Sequence, residues 1–165
     1  MSFLPNGADS NGADPDALVT VRQANEQRLL GSQRSGTRFV APGSATEGRF
    51  GLFEYTMTAH ADGPGPHYHR GFGEAFYILS GELEVLANEV WTPAGAGDFV
   101  YVPPRGVHGF RNRSDDDVRF LILFAPGIAR ERYFEGLAEL RAGGRTPTVE
   151  EIDAFAAEHD QFNIR

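Results

Sequence analysis

Between about residue 17 and residue 126 the chain alternates short apolar runs with turns rich in Gly and Pro. The runs 17–22, 37–40, 50–58, 74–80, 82–87, 98–102, 107–112 and 118–124 are dominated by Val, Ile, Leu, Phe, Tyr and Thr. These residues suit a pleated, half-buried surface, so each run predicts a strand. Many short strands at this spacing predict an all-β sandwich or jelly roll. The run Phe120-Leu121-Ile122-Leu123-Phe124 is apolar at both parities. It is expected to be covered on both faces, and the pattern leaves open which parity points inward.

The periodicity changes after Pro126-Gly127. Ile128, Tyr133, Phe134, Leu137 and Leu140 recur at helical spacing over 128–142. Thr148 with Glu151 fits a capping box and opens a second helix carrying Ile152, Phe155 and Ala156 on one stripe. Gly143-Gly144 separates the two helices. The expected division is a disordered tail over 1–16, where Asn-Gly-Ala-Asp occurs twice, a β-barrel over 17–126, and a helical appendage over 127–165. The appendage is expected to dock on the barrel or to cover its mouth. Asp115-Asp116-Asp117 reads as a solvated hairpin turn, His60 as a loop histidine, Trp91 as packing in a turn-prone stretch, and His159-Asp160 as capping or packing its helix.

A length of 165 residues with 41 % apolar content suits one packed domain. Composition narrows the chemistry by what it lacks. The chain has no cysteine and no lysine, and all 15 basic residues are arginine. Thiolate metal sites, disulfides, thiol nucleophiles and Schiff-base lysines are excluded. A net charge of -8 argues against nucleic acid and anionic membranes as partners. No apolar run approaches the ~20 residues of a membrane-spanning helix. Met1–Ser10 lacks a basic stretch followed by an apolar one, so a cytoplasmic protein is expected.

The remaining candidate chemistry concentrates in Pro66-His67-Tyr68-His69-Arg70-Gly71-Phe72-Gly73-Glu74. His67 and His69 are two residues apart, so on an extended strand both rings face one side while Tyr68 faces the other. Gly71 and Gly73 permit a sharp turn, after which Glu74 opens the next strand beside the two rings. His108 lies in another strand, after Pro103-Pro104-Arg105-Gly106. Three imidazoles and one carboxylate make a site for a divalent transition metal, with Glu74 as a ligand or as a catalytic base.

These residues resemble the cupin superfamily through two motifs. The first reads His67-x-His69, four residues, Glu74, six residues, Gly81; the family's leading Gly is absent, with Ala61 near its place and Gly63 following. The second reads Gly97, five residues, Pro103, then His108, three residues, Asn112; Gly106 stands one place later than the pattern expects. The resemblance implies a small β-barrel of the double-stranded β-helix (jelly-roll) type with C-terminal helices. It also implies an interior metal bound by His67, His69, Glu74 and His108. The metal could be nickel, cobalt, manganese, iron, copper or zinc, since such a site suits all of them.

Strand parity places Phe76 on the face of Glu74, Phe110 on that of His108, and Phe53, Tyr55 and Met57 on one face of their strand. Together they are expected to form an apolar pocket for a small-molecule substrate, although each taken singly is more simply explained as barrel core. The ligand set and aromatic pocket are similar to those of quercetinase-like dioxygenases, with dioxygen as co-substrate. The alternatives are a non-oxidative metal-dependent isomerase, decarboxylase or polyketide cyclase, and a non-catalytic cupin that binds metal or ligand. A sensor fused to a DNA-binding domain is disfavoured by the acidic charge. Strand character over 17–40 without an obvious partner makes a homodimer the expected assembly.

Overall fold

The computed structural model describes residues 16–144 and 146–165, so the tail expected over 1–16 lies outside the described residues except for Asp16. In chain order the elements are β1 (Leu29–Gly31), β2 (Gly36–Ala41), β3 (Gly51–Met57), β4 (His67–Tyr68), β5 (Gly73–Ser80) and β6 (Glu82–Ala87). They continue with β7 (Val90–Gly95), β8 (Phe99–Val102), β9 (His108–Arg111), β10 (Val118–Ala125), α1 (Arg130–Leu140), α2 (Val149–Glu158) and β11 (Phe162–Asn163). The strands form a six-stranded sheet, β1-β2-β3-β10-β5-β8, and a five-stranded sheet, β11-β4-β9-β6-β7. Neighbours within each sheet pair antiparallel. This is the jelly-roll fold the strand pattern predicts. Among the described residues no helix is long and apolar enough to cross a membrane.

The alternation of β10 settles its open parity. Val118, Phe120, Ile122 and Phe124 point into the core, and Leu121 and Leu123 face outward. The outward pair is half-buried and lies in a shallow groove with Leu52, Tyr77, Phe99 and Tyr101. Phenylalanine rings fill the space between the sheets. Phe53 meets Phe124 edge-on at 5.7 Å, and Phe76 meets Phe110 at 5.5 Å. Burying each such side chain contributes roughly 1.5–3 kcal/mol, and edge contacts add roughly 0.5–1.5 kcal/mol per pair.

The C-terminal segment folds onto this core. Tyr133 and Phe134 of α1 are buried, and Phe134 lies 5.1 Å from Phe53. The capping box forms as expected: Glu151 N–H donates to Thr148 Oγ1 at 3.3 Å, and Thr148 N–H donates to Glu151 Oε2 at 2.8 Å. The segment is not helical throughout, because β11 joins the five-stranded sheet by pairing Phe162 with Tyr68 and Asn163 with His67.

Several local expectations are corrected. No strand forms over 17–22, where Leu18 and Val19 are 90 % and 92 % exposed and no neighbouring strand pairs with them. Trp91 lies in a strand, β7, whose Thr-Pro-Ala-Gly sequence imitates a turn. Pro93 is tolerated there because β7 is an edge of its sheet. Asp115–Asp117 is not a hairpin turn, since β9 and β10 belong to different sheets and the loop crosses between them.

The motif residues anchor such crossings. Asn112 is fully buried, its side-chain N–H groups donating to Thr58 O at 3.0 Å and Asp116 O at 2.8 Å. Gly81 has φ +77°, and a Cβ there would meet Asp117 O at 2.6 Å. The displaced glycine of the second motif has a counterpart in the backbone. Arg105 occupies the position where the pattern expects glycine and takes the left-handed conformation, φ 69°. Its N–H donates to His69 O at 2.6 Å.

Candidate metal centre

Pairing of the short strand β4 with β9 sets His67 directly opposite His108. His69 follows β4 on the same face, and Glu74 enters from β5 in the opposite sheet. All four side chains are buried, none more than 4 % exposed. One ligand atom from each lies within 4.8 Å of the others, so the group could hold a metal ion.

The imidazoles are oriented from behind. Nδ1 of His67 lies 2.8 Å from Gly65 O, that of His69 2.7 Å from Asp160 O, and that of His108 3.1 Å from Gly106 O. A carbonyl only accepts, so each Nδ1–H donates, and in a neutral ring the lone pair sits on Nε2. Nε2 of His69 and of His108 face Glu74 Oε2 at 3.1 and 3.0 Å. Lone pairs and a carboxylate converging in a dry interior are complementary to a cation, and backbone carbonyls behind metal-binding imidazoles are the usual orienting partners. The donor set therefore fits a divalent transition metal.

Burial, then the neighbouring His108, pushes His67 down to about 3, so it is neutral at physiological pH. Burial opposes charge on Glu74, but hydrogen bonds from Nε2 of His108 and His69, which form when those nitrogens carry a proton rather than a metal, outweigh it and hold the carboxyl well below the usual carboxylate range. Neutral imidazole and ionised carboxylate are the metal-binding forms.

Of the four residues, His67 and Glu74 line a cavity of about 310 Å³, and His69 and His108 are buried beside them. Tyr55, Phe110, Ile122 and Phe124 wall it from the barrel, and Tyr133, Phe134, Leu137 and Ile152 close it from α1 and α2. Of the expected pocket residues, Tyr55 and Phe110 line this cavity. Phe53, Met57 and Phe76 do not: they share the inward parity but lie elsewhere in the core. Phe53 is covered by Phe39 and Phe134, Met57 sits at the far end of β3 opposite Val118, and Phe76 packs under Phe110 and Phe120.

Sequence reasoning missed two residues. Asp160 ends α2 in the left-handed conformation, φ 56°, within a Schellman-type cap. Its carboxylate accepts from Arg70 N–H at 3.0 Å and Gly71 N–H at 2.7 Å, while its carbonyl accepts from His69. Nothing local in the sequence signals this. Arg130 is 3 % exposed and lines the cavity from α1. A signal did exist for it, since Arg130 falls on the same helical stripe as Tyr133, Phe134 and Leu137. His60 remains in a loop, 2.9 Å from Asp115 Oδ1, away from the cluster.

Comparisons with known proteins point to the same fold. A family model described as a cupin domain matches residues 53–124. Quercetin 2,3-dioxygenase of Bacillus subtilis (strain 168) is 27 % identical over 132 residues, covering 76 % of this chain and 36 % of that protein. The chain thus spans about a third of that relative. The polyketide cyclase RemF from Streptomyces resistomycificus superposes with a TM-score of 0.55 at 19 % identity, over 66 % of this chain and 80 % of that one. Ectoine synthase from P. lautus gives 0.58 at 18 % identity, over 72 % and 86 %. Likeness at these identities speaks for the fold.

Proposed function

The chain belongs to the cupin superfamily, and from that premise we propose that it is a metal-dependent dioxygenase acting on a small aromatic or enolic substrate. The observation that carries this reading is the buried cluster of three imidazoles and one carboxylate, of which His67 and Glu74 border an aromatic-walled cavity. His67, His69, Glu74 and His108 would hold a divalent transition metal, which would supply a Lewis acid beside the cavity. Three neutral ligands and one carboxylate leave a divalent ion with one net positive charge, suited to an enolate or phenolate oxygen. Tyr55, Phe110 and Tyr133 hold the substrate's ring and exclude water. Glu74, ionised at neutral pH, is placed to take the substrate's enolic proton.

The overall reaction needs no external reductant. The substrate supplies four electrons to dioxygen, both oxygen atoms enter the product, and one carbon–carbon bond is cleaved. The likeness to a quercetin dioxygenase supports oxygen chemistry, although it covers a minor part of that protein. The test is oxygen uptake by metal-loaded protein with a panel of enolic and hydroxylated aromatics. One oxygen molecule consumed per substrate is expected, with both labelled atoms in the product and activity abolished in Glu74→Gln. Turnover that continues under strict anaerobiosis would overturn the oxidative reading and leave a non-oxidative cupin enzyme.

A further inference from the structure

Among the described residues Arg130 is the one buried cation that lines the cavity, and its hydrogen bonding is incomplete. Nη1 donates to His159 O at 3.1 Å and Nη2 to Gln161 Oε1 at 2.7 Å, both neutral acceptors. Nε is buried without any partner. The guanidinium lies over the Tyr133 ring at 3.7 Å and near Phe124 at 5.2 Å, so its surroundings are aromatic. Among the described residues no carboxylate forms an ion pair with it. The Asp160 carboxylate is turned to the Arg70 and Gly71 amides, and that of Glu74 to the histidines. A buried charge left unpaired is costly.

We infer that Arg130 is a substrate-binding residue and that the substrate carries a carboxylate, which docks on its guanidinium. This rests on the proposed function, since it names the substrate class of the same site: an aromatic or enolic acid. A metal-loaded cluster would carry one net positive charge, and Arg130 adds a second buried one at the same cavity, so a ligand bringing negative charge offsets them. With one hydrogen each of Nη1 and Nη2 engaged and Nε–H without a partner, three of the five N–H donors are left for the oxygens of a carboxylate. The walls of Tyr55, Phe110 and Tyr133 then take the ring, and Glu74 lines the same cavity.

The experiment uses the full chain, both metal-free and loaded with cobalt(II), with benzoate as probe and benzamide as its neutral isostere. The Arg130 Nε–H resonance, assigned by its disappearance in Arg130→Lys, is followed together with binding. Benzoate is expected to move that resonance and benzamide to leave it in place. Arg130→Gln should weaken benzoate at least tenfold with cobalt uptake unchanged. Arg130→Lys should weaken benzoate yet keep the preference over benzamide. An Nε–H resonance unmoved by saturating benzoate overturns the inference, as does benzoate binding within twofold of the parent in a folded Arg130→Gln. The resonance readout in the parent protein decides the matter even where Arg130→Gln fails to fold. Absence of cobalt uptake would defeat the proposed function while the metal-free benzoate titration still reports on Arg130. Cobalt uptake with benzoate indifferent to Arg130 defeats this inference alone.

Discussion

In the barrel, the candidate ligands are placed by strand pairing: His67 faces His108 across β4 and β9, and Glu74 comes from the opposite sheet. After residue 126 the chain reaches the same site without that framework. It uses a helix end, where Asp160 grips Arg70 and Gly71, a buried arginine on α1, and a two-residue strand laid beside His67. The barrel fixes where the donors are; the C-terminal segment fixes how the His69 loop sits and what shares the cavity with it. A core rich in phenylalanine tolerates small shifts as lost stability, whereas a loop held by a few hydrogen bonds registers them as lost geometry.

Two substitutions separate these roles. Phe53→Ala removes a fully buried ring that contacts Phe39, Phe124 and Phe134 but does not line the cavity. It should destabilise the protein by about 3–5 kcal/mol in denaturant unfolding, while the folded fraction takes up metal as the parent does. Concurrent loss of metal affinity would merge the two regions into one. Asp160→Gly keeps the left-handed cap unstrained and removes only the carboxylate. A smaller loss, about 1–3 kcal/mol, is expected in stability. Metal affinity by competition with a chelator should fall by about 10–100-fold. An unchanged affinity would show that the carbonyl of residue 160 alone suffices to orient His69.

The same contrast decides what could be read from the sequence. The candidate cluster was legible because most of it is local: two histidines two residues apart, a carboxylate five residues on, and His108 in a recognisable turn-strand context. Strand parity found Tyr55 and Phe110 but could not separate them from Phe53, Met57 and Phe76. Parity gives a side of the sheet, not a depth, and two residues along a strand advance by about 6–7 Å. The strand over 17–22 failed because apolar character without a partner strand forms no ladder. Asp160 was illegible because its partners are 89 to 91 residues away, and only the folded chain brings a helix cap to that loop.

Arg105 offers a smaller test inside the barrel. Its left-handed backbone stands where the motif expects glycine, and its side chain is exposed. Arg105→Gly removes the left-handed penalty but also frees the unfolded chain. A net gain of roughly 0.5–1 kcal/mol is expected from thermal unfolding, with metal affinity unaltered. A destabilised Arg105→Gly would mean that the side chain, not the backbone, holds the loop that accepts from Arg105 at His69 O.

The smallest effect expected lies farthest from the site and depends on pH. Asp117 closes the crossover between β9 and β10, where its carboxylate accepts from Arg34 Nε at 2.8 Å and from Ala59 N–H at 3.3 Å. The hydrogen bond from Arg34 holds Asp117 below its ordinary value. A carboxyl depressed by folding contributes stability that is present above its unfolded value, about 3.9, and is lost as pH falls through the lower folded value. Asp117→Asn should therefore be less stable than the parent near neutrality, and the difference should vanish at the acid end of the profile. Because the pair is exposed, salt should shrink the neutral-pH difference as well. A difference that persists unchanged in strong acid would assign the contribution of Asp117 to the shape of the crossover rather than to its charge. Metal affinity should be the same in both proteins at every pH, since the carboxylate acts on the frame and touches none of the four donors.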